Sequence, residues 1–315
     1  MMTLYLVKTR SKPYRNEGQV NEPIRIAQRV GCKIYIFAAM PKFTDSNYLQ
    51  NDQYRSADNL NARIALHERF SVNPQGWFAW LWDVLAELPA QAKVLELGSG
   101  PGALWKACPQ RIPAGWSITL SDFSAGMVDA AWRNLVTLGR GFKFEQIDAQ
   151  SIPYPDETFD IVIANFMLYH IPDRPKALGE IRRVLRSPDV VSGKPGGHLV
   201  AATAGANHLK EMNEWFARLD PTGEMAAFRN PFTLENGLEQ LQPFFSPIEI
   251  RRYPDSLRIT ELPPLMDYLR STSSYGSAAE VLFTQLEQEL TAELQAKGEI
   301  HITKDSGLFL ARKPD

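Results

Sequence analysis

Short apolar runs at 94–97, 118–120, 142–147, 159–164 and 197–203 have the length and composition of buried strands. Four of them, and the turns that close them, repeat between residue 94 and Asn165, a rhythm that predicts an α/β sheet. Helices are predicted on either side of this core. Residues 59–70 and 74–87 precede it, with Pro74 suited to a first helical turn. The second of these carries Trp77, Phe78, Trp80, Leu81, Trp82 and Leu85, apolar around too much of its circumference to face one neighbour, and is expected to be a packed cap. After the fifth strand the pattern predicts a polar helix at 207–219, a helix opened by Thr233, a strand at 248–253 with a further stretch at 256–259, helices at 261–270 and 277–297, and a last strand at 299–312 bent at Asp305-Ser306-Gly307.

The first strand runs into Glu96-Leu97-Gly98-Ser99-Gly100-Pro101-Gly102, an acid followed by three alternating glycines. Glycine lets the backbone take left-handed turns and approach a ligand closely, while the free amides of the next helix face it. Gly98, Gly100 and Ala103 also fit the dinucleotide pattern GxGxxG/A. Charge separates the two readings: a pyrophosphate at a helix N-terminus is opposed by a carboxylate at Glu96, whereas a ligand with a sulfonium and an ammonium is favoured by it. Asp122 ends the second strand about twenty residues past the glycines, where a carboxylate can accept both hydroxyls of a ribose. It can equally serve as a cap; Ser124 is the expected cap of the following helix.

With these pieces the chain resembles the class I S-adenosylmethionine-dependent methyltransferases, in particular the small-molecule branch that includes the quinone-biosynthesis enzymes. The resemblance rests on ELGSGPG at 96–102, SDFSAGMVDAA at 121–131, DAQSIPYPDETFDIVIANFMLYHIPD at 148–173 and GGHLVAATAG ending at 205. It implies a doubly wound, Rossmann-like mixed sheet of seven strands, the last one antiparallel beside the fifth, with helical cap and lid insertions. It implies S-adenosylmethionine as cofactor, with Glu96 and the Gly98-Ser99-Gly100, Gly102 loop at the methionine moiety and Asp122 at the ribose. Phe123 and Met127 would flank the adenine, Asp148 would accept from its exocyclic amine, the Ala149 amide would donate to it, and Asn165 would lie beside the methionine portion. Phe123 and Met127 are also i and i+4 neighbours that plain helix packing explains, and Asp148 reads equally as a solvated loop acid.

Composition narrows the partners. A formal charge of −2 offers no broad basic surface for nucleic acid, and the Arg182, Arg183, Arg186 cluster falls in the last turn of a predicted helix, where cations are ordinarily stabilising. Cys32 and Cys108 match neither a metal-ligand nor a redox spacing, so no metal and a reducing, cytoplasmic setting are expected. No apolar run approaches the roughly eighteen residues of a membrane span. Residues 1–39 stand apart, with seven Lys or Arg against two Glu. They are expected to be a disordered or non-native extension, with Met40 as the start. Residues 40–90 form the expected helical cap, 91–205 the cofactor-binding core, and 206–315 the lid helices and closing strands.

The expected chemistry is in-line displacement at the cofactor methyl by a small-molecule acceptor. A base is needed only where the acceptor must lose a proton. Tyr169 and His170, just past the fourth strand, are best placed by topology to meet the acceptor, though local packing also explains His170. Tyr54, Arg63, His67 and Arg69 in the cap, and His208 and Tyr275 in the lid, are further candidates that also read as packing or surface residues. A nicotinamide-dependent oxidoreductase and a non-catalytic S-adenosylmethionine-binding protein are the alternatives.

Overall fold

The computed structural model describes residues 28–30, 33–35, 58–189, 191, 193, 195–219, 230–272 and 278–314. Within the N-terminal unit, β1 (Gln28–Val30) pairs antiparallel with β2 (Lys33–Tyr35). The other expectations about residues 1–39 and Met40 lie outside the described residues.

In the second unit, the described residues form one sheet of seven strands. These are β3 (Gln91–Leu97), β4 (Gly115–Asp122), β5 (Lys143–Gln146), β6 (Ile161–Asn165), β7 (His198–Ala204), β8 (Ile248–Ile259) and β9 (Ile300–Arg312), in the order β5-β4-β3-β6-β7-β9-β8. Strands β3 to β7 are parallel, and β9 is antiparallel to both β7 and β8. The expected mixed sheet with an antiparallel last strand beside the fifth is observed. The chain leaves β3 for β4 and β5 on one side, then crosses to β6 on the other, and a crevice opens beyond the strand ends at such a switch point.

The two-residue period sorts the side chains. Leu95 and Leu97 of β3, Val162 and Ala164 of β6, and Leu199 and Ala201 of β7 bury into one core with Leu178 and Ile181 of a helix at Arg174–Val184. Val94, Ile161, Ile163, Val200 and Ala202 bury on the opposite face with Leu81, Trp82 and Leu85. In chain order the helices are α1 (Asp58–Phe70), α2 (Trp77–Leu85), α3 (Ala103–Ala107), α4 (Ala125–Leu135), α5 (Arg174–Val184), α6 (Lys210–Leu219), α7 (Gly237–Leu241), α8 (Leu262–Thr272) and α9 (Ala278–Lys297). Ser124 caps α4 by accepting from the Met127 amide at 3.4 Å, as expected. Helix α2 starts three residues later than expected. The Asp255 carboxylate captures the amides of Val72 and Asn73, and the Asn73 side chain accepts from the Gln75 amide, so this segment is held as a turn.

Strands β8 and β9 outrun their neighbour. Strand β7 pairs with β9 only over 306–312, so residues 300–305 of β9 and 254–259 of β8 continue as a two-stranded ribbon. The expected break near Pro254 and bend at 305–307 are therefore absent; β8 is an edge strand, where a proline without an N–H is tolerated. Leu257, Ile259, Ile300 and Ile302 of the ribbon bury against α1, α6, α8 and α9. Helix α1 is fixed there by Leu66 and Phe70, each burial contributing about 1.5–3 kcal/mol. The two helices expected to form one cap thus go to different cores, α1 to the one built on the β8–β9 ribbon and α2 to the sheet face.

Candidate functional site

Glu96, Asp122 and Asn165 stand at or near the carboxyl ends of three adjacent strands, and their even spacing from Val94, Leu120 and Ile163 puts all three on the same sheet face. Hydrogen bonds stitch the β3 loop to β4. Ser121 Oγ donates to the Glu96 carbonyl at 2.7 Å, and the Ser99 amide donates to the Ser121 carbonyl at 2.8 Å. The Asp122 carboxylate accepts from the Gly100 amide through Oδ2 and from the Ser124 amide through Oδ1, each at 2.9 Å. Gly98 and Gly100 have φ of 66° and 53°, the left-handed region that side chains resist. A Cβ on Gly98 would also come within 2.7 Å of the Met167 Cβ.

Gly102 departs from the expectation. It is absent from the lining of the cavity described below, and a Cβ there would lie 2.6 Å from Leu135 Cδ1. Its bareness admits Leu135 and so lets α4 approach the loop.

The acids are buried. Glu96 is 2% exposed, and Trp105 Nε1 donates to its Oε2 at 2.5 Å. Burial pushes the Glu96 carboxyl up to about 7, against the Trp105 hydrogen bond and with help from the charge of Asp122. Burial likewise raises Asp122 to about 6, opposed by the amides of Ser124 and Gly100. Neither carboxylate has an ion-pair partner among the described residues. A cation entering beside them would favour both charged forms.

They border a cavity of about 1130 Å³. Gly98, Ser99, Gly100, Phe123, Met127, Asp148, Ala149, Asn165, Tyr169 and His170 also line it, so every other predicted cofactor or catalytic residue gathers around one space. Ser99 Oγ and Asn165 Oδ1 are buried with no hydrogen-bond partner among the described residues, in two residues that line the cavity. The Asp148 carboxylate accepts from the amide and side chain of Gln150, which fixes its turn. The rings of Tyr169 and His170 meet edge to face at 4.5 Å in a single 3₁₀ turn.

The outer candidates separate. Arg69 is ion-paired with Glu261 on the surface and does not line the cavity. His67 and His208 do line it. Tyr54, Tyr275 and the Arg63 side chain lie outside the described residues. Two of the three arginines at 182–186 are ion-paired: Arg183 with Glu180 and Asp156, and Arg186 with Asp160.

Phe166, Lys304 and Ser306 are among the lining residues that sequence reasoning did not single out. Phe166 has φ 55° and its ring meets that of Trp77 at a 52° tilt with centroids 5.0 Å apart; a non-glycine residue in that conformation signals stored strain. Lys304, which lines the cavity, forms an ion pair with Asp255 in which both side chains are nearly fully buried. Ser306 follows it. The signal for the last two is the polar interruption at 304–306, which marks a strand facing a cavity. Among the described residues no group of three or more His, Cys, Asp or Glu could hold a metal, and no helix is long and apolar enough to cross a membrane.

A family model described as a methyltransferase domain matches residues 95–201. The ubiquinone/menaquinone biosynthesis C-methyltransferase UbiE of Hahella chejuensis is 31% identical over 137 residues, 43% of this chain and 47% of that protein. The demethylmenaquinone methyltransferase of Thermus thermophilus is 35% identical over 116 residues, 37% of this chain and 49% of that one. The chain thus spans about half the length of these relatives. The YcgJ protein of a Bacillus species superposes with TM-score 0.52 at 18% identity, over 76% of this chain and 98% of that one. The Haemonchus contortus phosphoethanolamine N-methyltransferase 2, solved with S-adenosyl-L-methionine, superposes with TM-score 0.51 at 18% identity over 90% and 62%. At such identities the structures speak for the fold. Residues 95–201 thus match a methyltransferase domain, and the seven-stranded sheet with its strand order has the class I methyltransferase fold.

Proposed function

We propose that the protein is an enzyme that transfers the methyl group of S-adenosylmethionine to a small-molecule acceptor. The observation that carries this reading is the pair of buried, unpaired acids, Glu96 and Asp122, beside a glycine turn in a methyltransferase domain. A diphosphate would be repelled there, while a sulfonium and an ammonium are attracted.

The residues fit that cofactor. The Asp122 carboxylate accepts from the amides of Gly100, Ser124 and Phe123, and of its four lone pairs one is left for a ribose hydroxyl. Ser99 Oγ and Asn165 Oδ1 supply unused polar contacts for the methionine end. Phe123 and Met127 offer apolar contact for the adenine, and Asp148 with the Ala149 amide its polar edge. When bound, the cofactor supplies an electrophilic methyl carbon on a positively charged sulfur. The chain orients the reactants and excludes water, and such positioning is worth roughly 7–11 kcal/mol in favourable cases. The cavity is larger than the ~300–1,000 Å³ usual for one ligand, leaving room for an acceptor beside the cofactor. Tyr169 and His170 border that space, and either can orient an acceptor or take its proton.

Residues 91–205 act in this reading as the cofactor core and 206–315 as lid and closing strands. The near-neutral charge supports a small acceptor over nucleic acid, and cysteine usage supports a cytoplasmic setting. Incubation with S-adenosylmethionine and a metabolite library, with S-adenosylhomocysteine quantified by mass spectrometry, tests the proposal. Acceptor-dependent product is expected, and its absence across the library despite cofactor binding would leave a binding protein instead.

A further inference from the structure

We propose that Trp105 is a positioning residue of the cofactor site: its indole N–H holds one oxygen of the Glu96 carboxylate from behind, so that the acid meets a cationic ligand charged and with its other oxygen free. The identity of that ligand rests on the methyl-transfer reading above; the hold of Trp105 on Glu96 does not.

The loop brings the two residues together. Gly98, Gly100 and Gly102 all have positive φ, and they turn the chain back so that α3, opening at Ala103, sets its third residue beside the strand end it has just left. Trp105 is 0% exposed and does not line the cavity, whereas Glu96 does. The indole can therefore act on a ligand only through the acid. An indole N–H donates and never accepts, and one buried away from water needs an acceptor. It meets Glu96 Oε2 at 2.5 Å, while Oε1 accepts no hydrogen bond among the described residues.

The ring that delivers this proton is itself fixed. Trp82 stands edge-on to it with centroids 5.7 Å apart, Phe142 at 5.9 Å and Trp116 at 6.4 Å, the edge-to-face arrangement that aromatic quadrupoles favour. Trp82 Nε1 donates to the Leu104 carbonyl at 3.1 Å, which ties α3 to α2 one residue before Trp105. Trp116 Nε1 donates to the Pro89 carbonyl at 2.8 Å. Two of the three indoles thus donate to backbone, and the third is aimed at a carboxylate. Packing alone needs no nitrogen at that position: Phe142 fills its own place in the cluster with a plain ring.

Opposing effects act on the charge of Glu96. Burial raises its carboxyl to about 7, the Trp105 hydrogen bond lowers it because a donor favours the ionised acceptor, and the charge of Asp122 on β4 adds to the rise. The other charged groups on the elements around it point to solvent or are paired. Lys93 of β3, Lys106 of α3, and Asp129 and Arg133 of α4 are exposed. Asp83 of α2 pairs with Arg111, and Asp160 before β6 pairs with Arg186. Cys108, just past α3, joins the same core through its thiol. Elsewhere on the cavity wall stand Glu68, Asp148, Lys304 and the imidazoles of His67, His170 and His208, none of them hydrogen-bonded to Glu96. Among the described residues the indole is thus the hydrogen-bond donor that favours the charged acid before a cation arrives.

The test titrates the full ligand-free chain by carbon NMR with glutamate carboxyls labelled, the Glu96 signal being the one missing from Glu96→Gln. Its midpoint should lie near pH 7 in the wild type and about one pH unit higher in Trp105→Phe. Trp116→Phe, which disturbs the same cluster, should keep the wild-type midpoint. In calorimetry with S-adenosylmethionine, the ratio of wild-type to Trp105→Phe affinity should be about five at pH 7 and fall toward one at pH 9, where both acids are ionised. Should Trp105→Phe fail to fold, nitrogen NMR of the wild type decides: of seven indole N–H signals, one should move downfield with a midpoint near pH 7, and this movement should vanish in Glu96→Gln. An unmoved Glu96 midpoint in folded Trp105→Phe, an equal shift in Trp116→Phe, no titrating indole, or the same affinity ratio at both pH values would overturn the proposal and spare the methyl-transfer reading. A Glu96 midpoint that moves as expected in a chain that ignores S-adenosylmethionine would defeat that reading and leave the hold of Trp105 on Glu96 standing.

Discussion

Asp122 accepts the Gly100 amide at 2.9 Å, so the acid that ends β4 holds the turn that follows β3. One carboxylate thereby shapes the glycine loop, and in the proposed reading its remaining lone pair accepts from the ribose. Asp122→Ala should weaken S-adenosylhomocysteine binding by on the order of 1–3 kcal/mol, measured by calorimetry. Asp122→Asn, which keeps one acceptor oxygen, should lose less. Equal affinity in wild type and the alanine variant would reduce Asp122 to a loop clamp.

The two raised acids make binding pH-dependent with a definite sign. Glu96 at about 7 and Asp122 at about 6 stand above their ordinary 4.5 and 3.8. Charging them opposes the ligand-free fold, so that fold loses stability as pH rises through those intervals. A sulfonium cofactor reverses this: S-adenosylmethionine affinity should climb from about pH 5 to pH 8, with protons released on binding near pH 6. Glu96→Gln should raise ligand-free thermal stability near pH 8 while weakening the cofactor. Calorimetry in buffers of different ionisation enthalpy reads the proton count, and zero release near pH 6 contradicts the account.

Gly100 has φ 53°, so Gly100→Val combines a backbone cost of about 1–3 kcal/mol with a branched side chain in the cofactor turn. Cofactor binding should be lost while circular dichroism retains the folded spectrum. Retained affinity would remove the loop from the site.

The Lys304–Asp255 pair lies almost wholly inside the protein. Lys304→Met leaves Asp255 buried and uncompensated and should cost about 3–5 kcal/mol. The double change Lys304→Met with Asp255→Asn should recover much of that. Urea denaturation of the four proteins closes the cycle, and additive losses would deny the coupling.

Legibility in the sequence followed local chemistry. Glu96, Gly98, Gly100, Asp122 and Asn165 were readable because strand ends and turns are written in short apolar runs, glycines and acids, and the parity of the strands then gathers them on one face. Gly102 was read for a ligand although its bareness admits Leu135, since a sequence does not say which neighbour needs the space. The polar residues at 304–306 and Pro254-Asp255 looked like breaks, because alternation alone cannot separate a bend from a strand whose polar side chains meet buried partners. The convergence of His67 with His208, residues 141 apart in the chain, depends on the ribbon that brings α1 beside α6. No local pattern encodes it.

The account's central claim is that this acid-flanked glycine turn receives a cationic adenosyl cofactor. Titration calorimetry of the full chain with S-adenosylmethionine, S-adenosylhomocysteine and NAD tests it most directly. The account predicts saturable one-to-one binding of the first two and none of the third. Saturation by NAD with no heat from either adenosyl compound would contradict it.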